Sequence, residues 1–151
     1  MSSTMREILF RGKRKEHDFF GLGGEWVYGI PIKTHIGTFM CFEENPHYCN
    51  QYGYMEIEEI SKVIPETVGA FTGLTDKNGV KIFEGDIVTY NKEYGGKTRE
   101  KGTVYWCDGA FWVENVQDEE DCGLLGALVK YQLEVIGNVH DNFELLEESN
   151  K

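Results

Sequence analysis

The chain has 151 residues, the length of one domain or two small ones, and 40% of them are hydrophobic and 13% aromatic, which excludes a disordered chain too poor in apolar surface to fold. No apolar stretch approaches the roughly 18 residues of a membrane helix. With 26 acidic against 15 basic residues the net charge is −11, which works against nucleic-acid binding unless the basic residues cluster.

Eighteen glycines and three prolines, spread among aromatics and valines, predict short strands joined by tight turns. Residues 5–15 read as a short strand followed by a charged turn. After the glycines at 21, 23 and 24, the run from Glu25 to Ile32 reads as a strand with Trp26, Tyr28 and Ile30 on one face. Pro31 belongs at a strand edge or end, because it has no N–H to donate. Thr38 to Phe42 is the next strand. Residues 43–55 form an irregular loop. From Met55 to Ile64 the signal is ambiguous, since Ile57, Ile60 and Ile64 fit one helical face before Pro65 ends the run.

In the second half, Glu66 to Leu74 and Val80 to Phe83 flank Asp76-Lys-Asn-Gly79, the pattern of a bulged hairpin. Glu84-Gly85 bends the chain into a strand from Asp86 to Tyr90, and Gly95-Gly96 lies in a polar connection. Asp108-Gly109 makes a two-residue turn between Gly102–Cys107 and Ala110–Val113. An acidic loop and a small apolar stretch (Leu124 to Val129) lead to a strand from Tyr131 to Ile136. Gly137-Asn138 bends the chain, and Asn142 to Leu146 forms a closing helical turn. The expected organisation is an N-terminal β segment over 1–64 and a barrel-like unit over 65–151, the two forming separate subdomains or one continuous domain.

Chemistry-bearing residues weigh toward structure rather than catalysis. Glu84 and Asp86 flank Gly85 beside a bend expected to face water, where carboxylates serve turns more often than acid–base chemistry. Cys41, His47 and Cys49, with His35 as a further ligand, lack the paired spacing of a zinc site. Cys107 precedes Asp108, an adjacent acid that disfavours the thiolate. The start of the chain has no apolar signal core, so the four cysteines are expected to be reduced thiols in a cytoplasmic protein. No catalytic, cofactor-binding or metal-ligating residue is assigned.

Several blocks occur in a fixed order along the chain: Arg6-Glu-Ile-Leu-Phe-Arg-Gly-Lys13, Gly24-Glu-Trp-Val-Tyr-Gly29, Glu66-Thr-Val-Gly69, Phe71-Thr-Gly-Leu74, Asp76-Lys-Asn-Gly79, Ile82-Phe-Glu-Gly-Asp-Ile-Val88, Val135-Ile-Gly-Asn138 and Glu144-Leu-Leu146. In this the sequence resembles the YopX family of phage and prophage proteins. It departs from the usual pattern at Ala70, His140 and Phe143, where Gln, Tyr and Pro are common. The resemblance implies a mainly β protein whose second half is like a small SH3-type barrel, and it carries no catalytic residues with it.

The expected function is that of a phage accessory protein acting by protein binding or self-assembly into a homo-oligomer, with a host or phage protein as partner and no membrane. Trp26, Tyr105, Trp106 and Trp112 are the candidate interface residues, because aromatics are enriched where proteins meet. Two other classes are carried beside it. One is a nucleic-acid-binding protein using Arg11, Lys13, Arg14 and Lys15, or a regulator whose carboxylates mimic DNA. The other is an enzyme of unassigned class.

Overall fold

The computed structural model describes residues 5–15, 24–42 and 60–147, and the chain divides into two units, 1–70 and 71–151. Both are built from antiparallel strands, so the protein is mainly β.

In the first unit, β1 (Phe10–Lys13), β2 (Trp26–Thr34), β3 (Gly37–Phe42) and β4 (Ile60–Val63) are neighbours in that order, and the start of β5 (Gly69–Thr75) lies along the other side of β1. The strip then closes on itself. Arg14 bridges Val63, Lys15 N–H donates to Lys62 O at 3.0 Å, and Ile64 N–H donates to Lys13 O at 2.9 Å. Four strands enclose very little volume, so the inward positions take small or slender residues. Val27, Met40 and Val63 form the core with Phe10 and Val68 packed against them. Gly12 is inward too, and a Cβ added there would lie 3.3 Å from Met40 Cε and 3.3 Å from Val68 Cγ2.

Three sequence expectations change here. The basic run is not a turn, because Arg11 and Lys13 lie within β1, where they alternate with inward Phe10 and Gly12. The ambiguous run from Met55 resolves, over its described residues 60–63, into strand β4, whose backbone pairs with β3; Pro65 opens a 3-10 turn over Pro65–Thr67. Pro31 lies inside β2, but beyond Gly29, the last β2 residue paired with β1, so its missing N–H disrupts no bond to that neighbour. The expected loop 43–55 and Ile57 lie outside the described residues.

In the second unit the remainder of β5 pairs with β6 (Lys81–Phe83). A five-stranded sheet follows, from β7 (Asp86–Asn91), β8 (Arg99–Cys107), β9 (Ala110–Asn115), β10 (Cys122–Leu124) and β11 (Glu134–Asn138), in the order β10-β9-β8-β7-β11. A four-strand meander, β7 to β10, followed after a short 3-10 turn by a fifth strand, β11, that returns beside the first, is the strand order of an SH3-like fold. Ile82, Val88, Val104, Val113, Leu125 and Leu133 form its core with Tyr90.

The turn chemistry matches the sequence. Asp108 and Gly109 have φ of 48° and 80°, the left-handed pair that lets Cys107 face Ala110 across a two-residue hairpin. Gly79 has φ 80°, and its N–H donates to Asp76 O at 3.0 Å. The strand expected from Tyr131 begins only at Glu134, because Val129–Tyr131 is a 3-10 turn and Gln132 sits at φ 57°, outside strand geometry. Gly137 and Asn138 belong to that strand, with a register shift between Val135 and Gly137. The closing turn is a single helical turn, α2 (Glu144–Glu147), and another, α1 (Leu125–Leu128), follows β10.

Tyr90 shows what burial does in this core. It is 5% exposed, and burial together with the nearby Glu100 and Asp121 carboxylates pushes its phenol up to about 12 from an ordinary 10. Because the folded value is the higher one, this group's contribution to stability is complete below pH 10 and is lost as pH rises through about 12. A spectrophotometric base titration should therefore show a late phenol that disappears in Tyr90→Phe. A titration curve unchanged by that substitution would contradict the assignment.

Candidate functional site

The period of two that places Val27 and Gly29 inside the first barrel places Trp26, Tyr28, Ile30 and Ile32 outside. Register then extends this outer face sideways. Ile30 pairs with Cys41 and Ile32 with Phe39 on β3, and these pair with Ile60 and Lys62 on β4. Tyr28 and Ile30 are each 46% exposed, Ile32 38% and Ile60 53%. Isolated exposed apolar residues are ordinary, whereas adjacent ones on three strands make a patch. Two described lysines lie against its aromatic members: Lys62 Nζ sits 6.0 Å from the Phe39 ring centre and Lys13 Nζ 5.7 Å from that of Trp26.

The four candidate basic residues do not share one environment. Arg11 is 7% exposed, with its guanidinium 4.7 Å from the Trp26 ring centre. Arg14 is partly buried and lies 3.9 Å from the Glu25 carboxylate. Lys13 is half-buried, and only Lys15 is fully at the surface.

The second unit carries a different face. Tyr105, Trp112 and Leu124 line up across β8, β9 and β10, and the next row places Glu114 beside Cys122. Trp112 Nε1 donates to Cys107 O at 3.0 Å, which fixes the indole along the sheet. Partial desolvation, then Cys122 and Glu114, hold the Tyr105 phenol above its ordinary value. Leu124 is 46% exposed, and Cys107 and Cys122 are exposed free thiols. Acidic groups surround this face: Asp108 at one turn, Glu114 within it, and Asp118–Asp121 in the β9–β10 loop. It is open only around these strands, because Ile87, on the same side of β7, is fully buried.

Trp106 points to the opposite side of β8. It is 50% exposed beyond the end of the core, with its ring in edge contact with Phe111 at 4.8 Å. The four candidate aromatics thus occupy three places: Trp26 on the first unit, Tyr105 with Trp112 on the acidic face, and Trp106 at the hairpin tip. The aliphatic members Ile30, Ile60 and Leu124 were not singled out by sequence. Alternation says which residues share a face, and only the narrowness of the barrel says which face is outside.

Other candidate groups resolve into structure. Asp86 is 1% exposed, not solvent-facing as expected, and its Oδ2 accepts the Phe83 N–H at 2.8 Å, bracing the Glu84-Gly85 bend. Burial in this tight turn sets Asp86 apart from Glu84 as an acid–base pair. Slight desolvation and the neighbouring Asp108 raise the exposed Cys107 thiol above its ordinary value. Cys41 is half-buried on β3 and His35 lies exposed in the β2–β3 turn, while His47 and Cys49 lie outside the described residues. Among the described residues no group of three or more His, Cys, Asp or Glu is placed to hold a metal ion, and no helix is long and apolar enough to cross a membrane.

Residues 10–147 match the family described as YopX protein. The chain is also similar to the crystal structure of protein EF1440 from Enterococcus faecalis, at 26% identity and a TM-score of 0.60, over 94% of this chain and 99% of that one. No curated protein matches.

Proposed function

The chain belongs to the YopX family, and we propose that it is a phage or prophage accessory protein that acts in the host cytoplasm by binding protein. The observation that carries this reading is the exposed strip of Tyr28, Ile30, Ile32 and Ile60 on the first barrel. Covering an exposed isoleucine or tyrosine side chain is worth on the order of 1–2 kcal/mol, so a partner that seats on several of them gains useful affinity. Tyr28, Ile30 and Ile32 along β2, continued through Cys41 to Ile60, with Lys13 and Lys62 beside them, suit a protein surface that is apolar at its centre and carries acidic groups at its rim. Three of the four exposed members are aliphatic and offer no flat ring for a base to stack on, and Arg11 is too covered to reach a phosphate, which supports protein over a nucleic-acid strand as the partner.

A tagged pull-down from bacterial lysate, with and without nuclease, tests this when run beside an Ile30→Lys, Ile60→Lys double variant. Both positions are about half exposed, so the variant should keep the parent circular dichroism spectrum. The expected result is an identified protein retained by the parent after nuclease and lost with the variant. Partners that vanish with nuclease, or that bind both chains equally, would refute the reading.

A further inference from the structure

From Gly102 to Val129 the chain carries six carboxylates and no lysine, arginine or histidine. This stretch builds most of β8 and all of β9 and β10, and so the outer face on which Tyr105, Trp112 and Leu124 form one row. Glu114 stands on that face beside Cys122, and Asp108 adjoins Cys107 at one end. Exposed Glu119 and Glu120 lie in the loop that leads into β10. Asp121 is turned away, its Oδ2 accepting from Asn115 Nδ2 at 3.1 Å. The imbalance belongs to the whole unit, since 71–151 holds sixteen acidic against eight basic side chains. Two bases of β8 share the Tyr105 side, and both are engaged elsewhere. Arg99 donates to Asn91 Oδ1, Thr89 Oγ1 and Gln132 O, and Lys101 Nζ donates to Leu145 O at 2.7 Å.

Other rings of the molecule receive cations from the chain itself. Arg11 and Lys13 lie near Trp26, Lys62 near Phe39, Lys81 near Phe71 and Lys130 near Tyr131, all between 4.7 and 6.0 Å from the ring centre. Among the described residues none lies over Tyr105 or Trp112. An aromatic face carries negative potential, and carboxylates around it deepen that potential. The Trp112 indole is already held along the sheet by its bond to Cys107 O, so an incoming group does not have to order it.

We infer that this face docks a cationic protein segment, which lays an arginine on Trp112 and Tyr105 and an apolar side chain against Leu124. A planar guanidinium covers a ring while its N–H groups stay available at the edge for carboxylates, here Glu114 along β9 and Asp108 past Cys107. The same charges repel a nucleic-acid strand. The contact differs in place and chemistry from the Tyr28–Ile60 strip of the first unit, and so goes beyond the reading above.

Fluorescence anisotropy of a labelled synthetic peptide in which arginine alternates with valine, titrated with the purified full chain, tests this. The parent should bind it, with an apparent dissociation constant that rises about tenfold between low and high salt. The same peptide with glutamine for arginine should not bind measurably. A Glu114→Gln, Glu119→Gln, Glu120→Gln variant should bind about tenfold more weakly. A Glu93→Gln, Glu144→Gln, Glu147→Gln variant removes the same charge from the β7–β8 turn and α2, at exposed positions, and should bind as the parent does. These near-isosteric changes should leave both circular dichroism spectra at the parent's.

No binding by the parent overturns the inference. So does equal weakening in the two triple variants, which marks general attraction to an acidic protein. Loss of binding in Ile30→Lys, Ile60→Lys would place the peptide on the first unit and overturn it too. If the parent self-associates in sedimentation and only the Glu114 triple variant stays monomeric, a second copy occupies the face and the inference is wrong.

Discussion

Asp76→Ala is expected to destabilise the second unit by about 3–4 kcal/mol, because one carboxylate satisfies three backbone donors at once. Oδ1 accepts the N–H groups of Asn78 at 2.8 Å and Val80 at 2.9 Å, and Oδ2 accepts that of Val135 at 3.0 Å. The first two hold the β5–β6 turn; the third ties that turn to β11, fifty-nine residues away. Lys77 N–H donates to Leu133 O at 2.9 Å, and Lys77 Nζ pairs with Glu134 at 2.9 Å, so the carboxylate sits in the middle of a seam. Asp76→Asn should recover little. One amide oxygen can still serve the turn, but its NH2 then meets the Val135 N–H, donor against donor.

Urea unfolding read from Trp106 and Trp112 in a Trp26→Phe background isolates the second unit. A loss below about 1 kcal/mol would show that the backbone bonds hold the seam unaided. The pH dependence gives a second check. Burial opposes ionisation of Asp76, but the three N–H donors and Lys77 outweigh it and leave the carboxyl below its ordinary 3.8. The folded value is the lower one, so this stabilisation is complete above about pH 3.8 and is lost as pH falls through the folded value. The Asn variant should therefore show a flatter acid limb.

Asp76 was legible in sequence as a turn residue but not as a link to β11. Asp76-Lys-Asn-Gly79 and Asp108-Gly109 announce their turns because backbone conformation there depends on residues a few positions apart. The identity of a distant partner leaves no such local mark. For the same reason Arg11 to Lys15 read as a turn: a dense basic run is usually solvated, and what makes it a strand is β2 on one side and β4 or β5 on the other. Gln132 deceived differently. Tyr131 to Ile136 has strand-like composition, yet a left-handed residue within it delays the strand so that Leu133 can enter the core. Aromatics of the candidate faces were visible because large rings are noticeable wherever they fall. Ile30 was placed on the face of Trp26 and Tyr28, but neither it nor Ile60 nor Leu124 could be marked as exposed, since an aliphatic residue outside a sheet is spelled like one inside it.

Gly102→Ala should be the most damaging single-methyl change in the second unit, although Gly102 has no turn to make. It lies inside β8, opposite Val88 on one neighbour and Asn115 on the other. An added Cβ would stand 2.4 Å from Val113 Cγ1 and 2.8 Å from Glu114 O. The first atom belongs to a fully buried valine and the second to sheet backbone, so neither can swing aside. Relief requires β8 and β9 to separate, which weakens their hydrogen bonds and opens the Val104–Val113 layer of the core. Overpacking of this kind costs about 2–3 kcal/mol, opposed only by the few tenths that alanine gains through a less flexible unfolded chain. Val113→Ala alone should cost about 2 kcal/mol as a cavity. Combined, the two should cost about 1 kcal/mol less than their sum, since the new methyl occupies space that valine has vacated. Strict additivity in urea unfolding would mean that the clash is with Glu114 O alone. A Gly102→Ala protein as stable as the parent would mean that the two strands do not approach this closely.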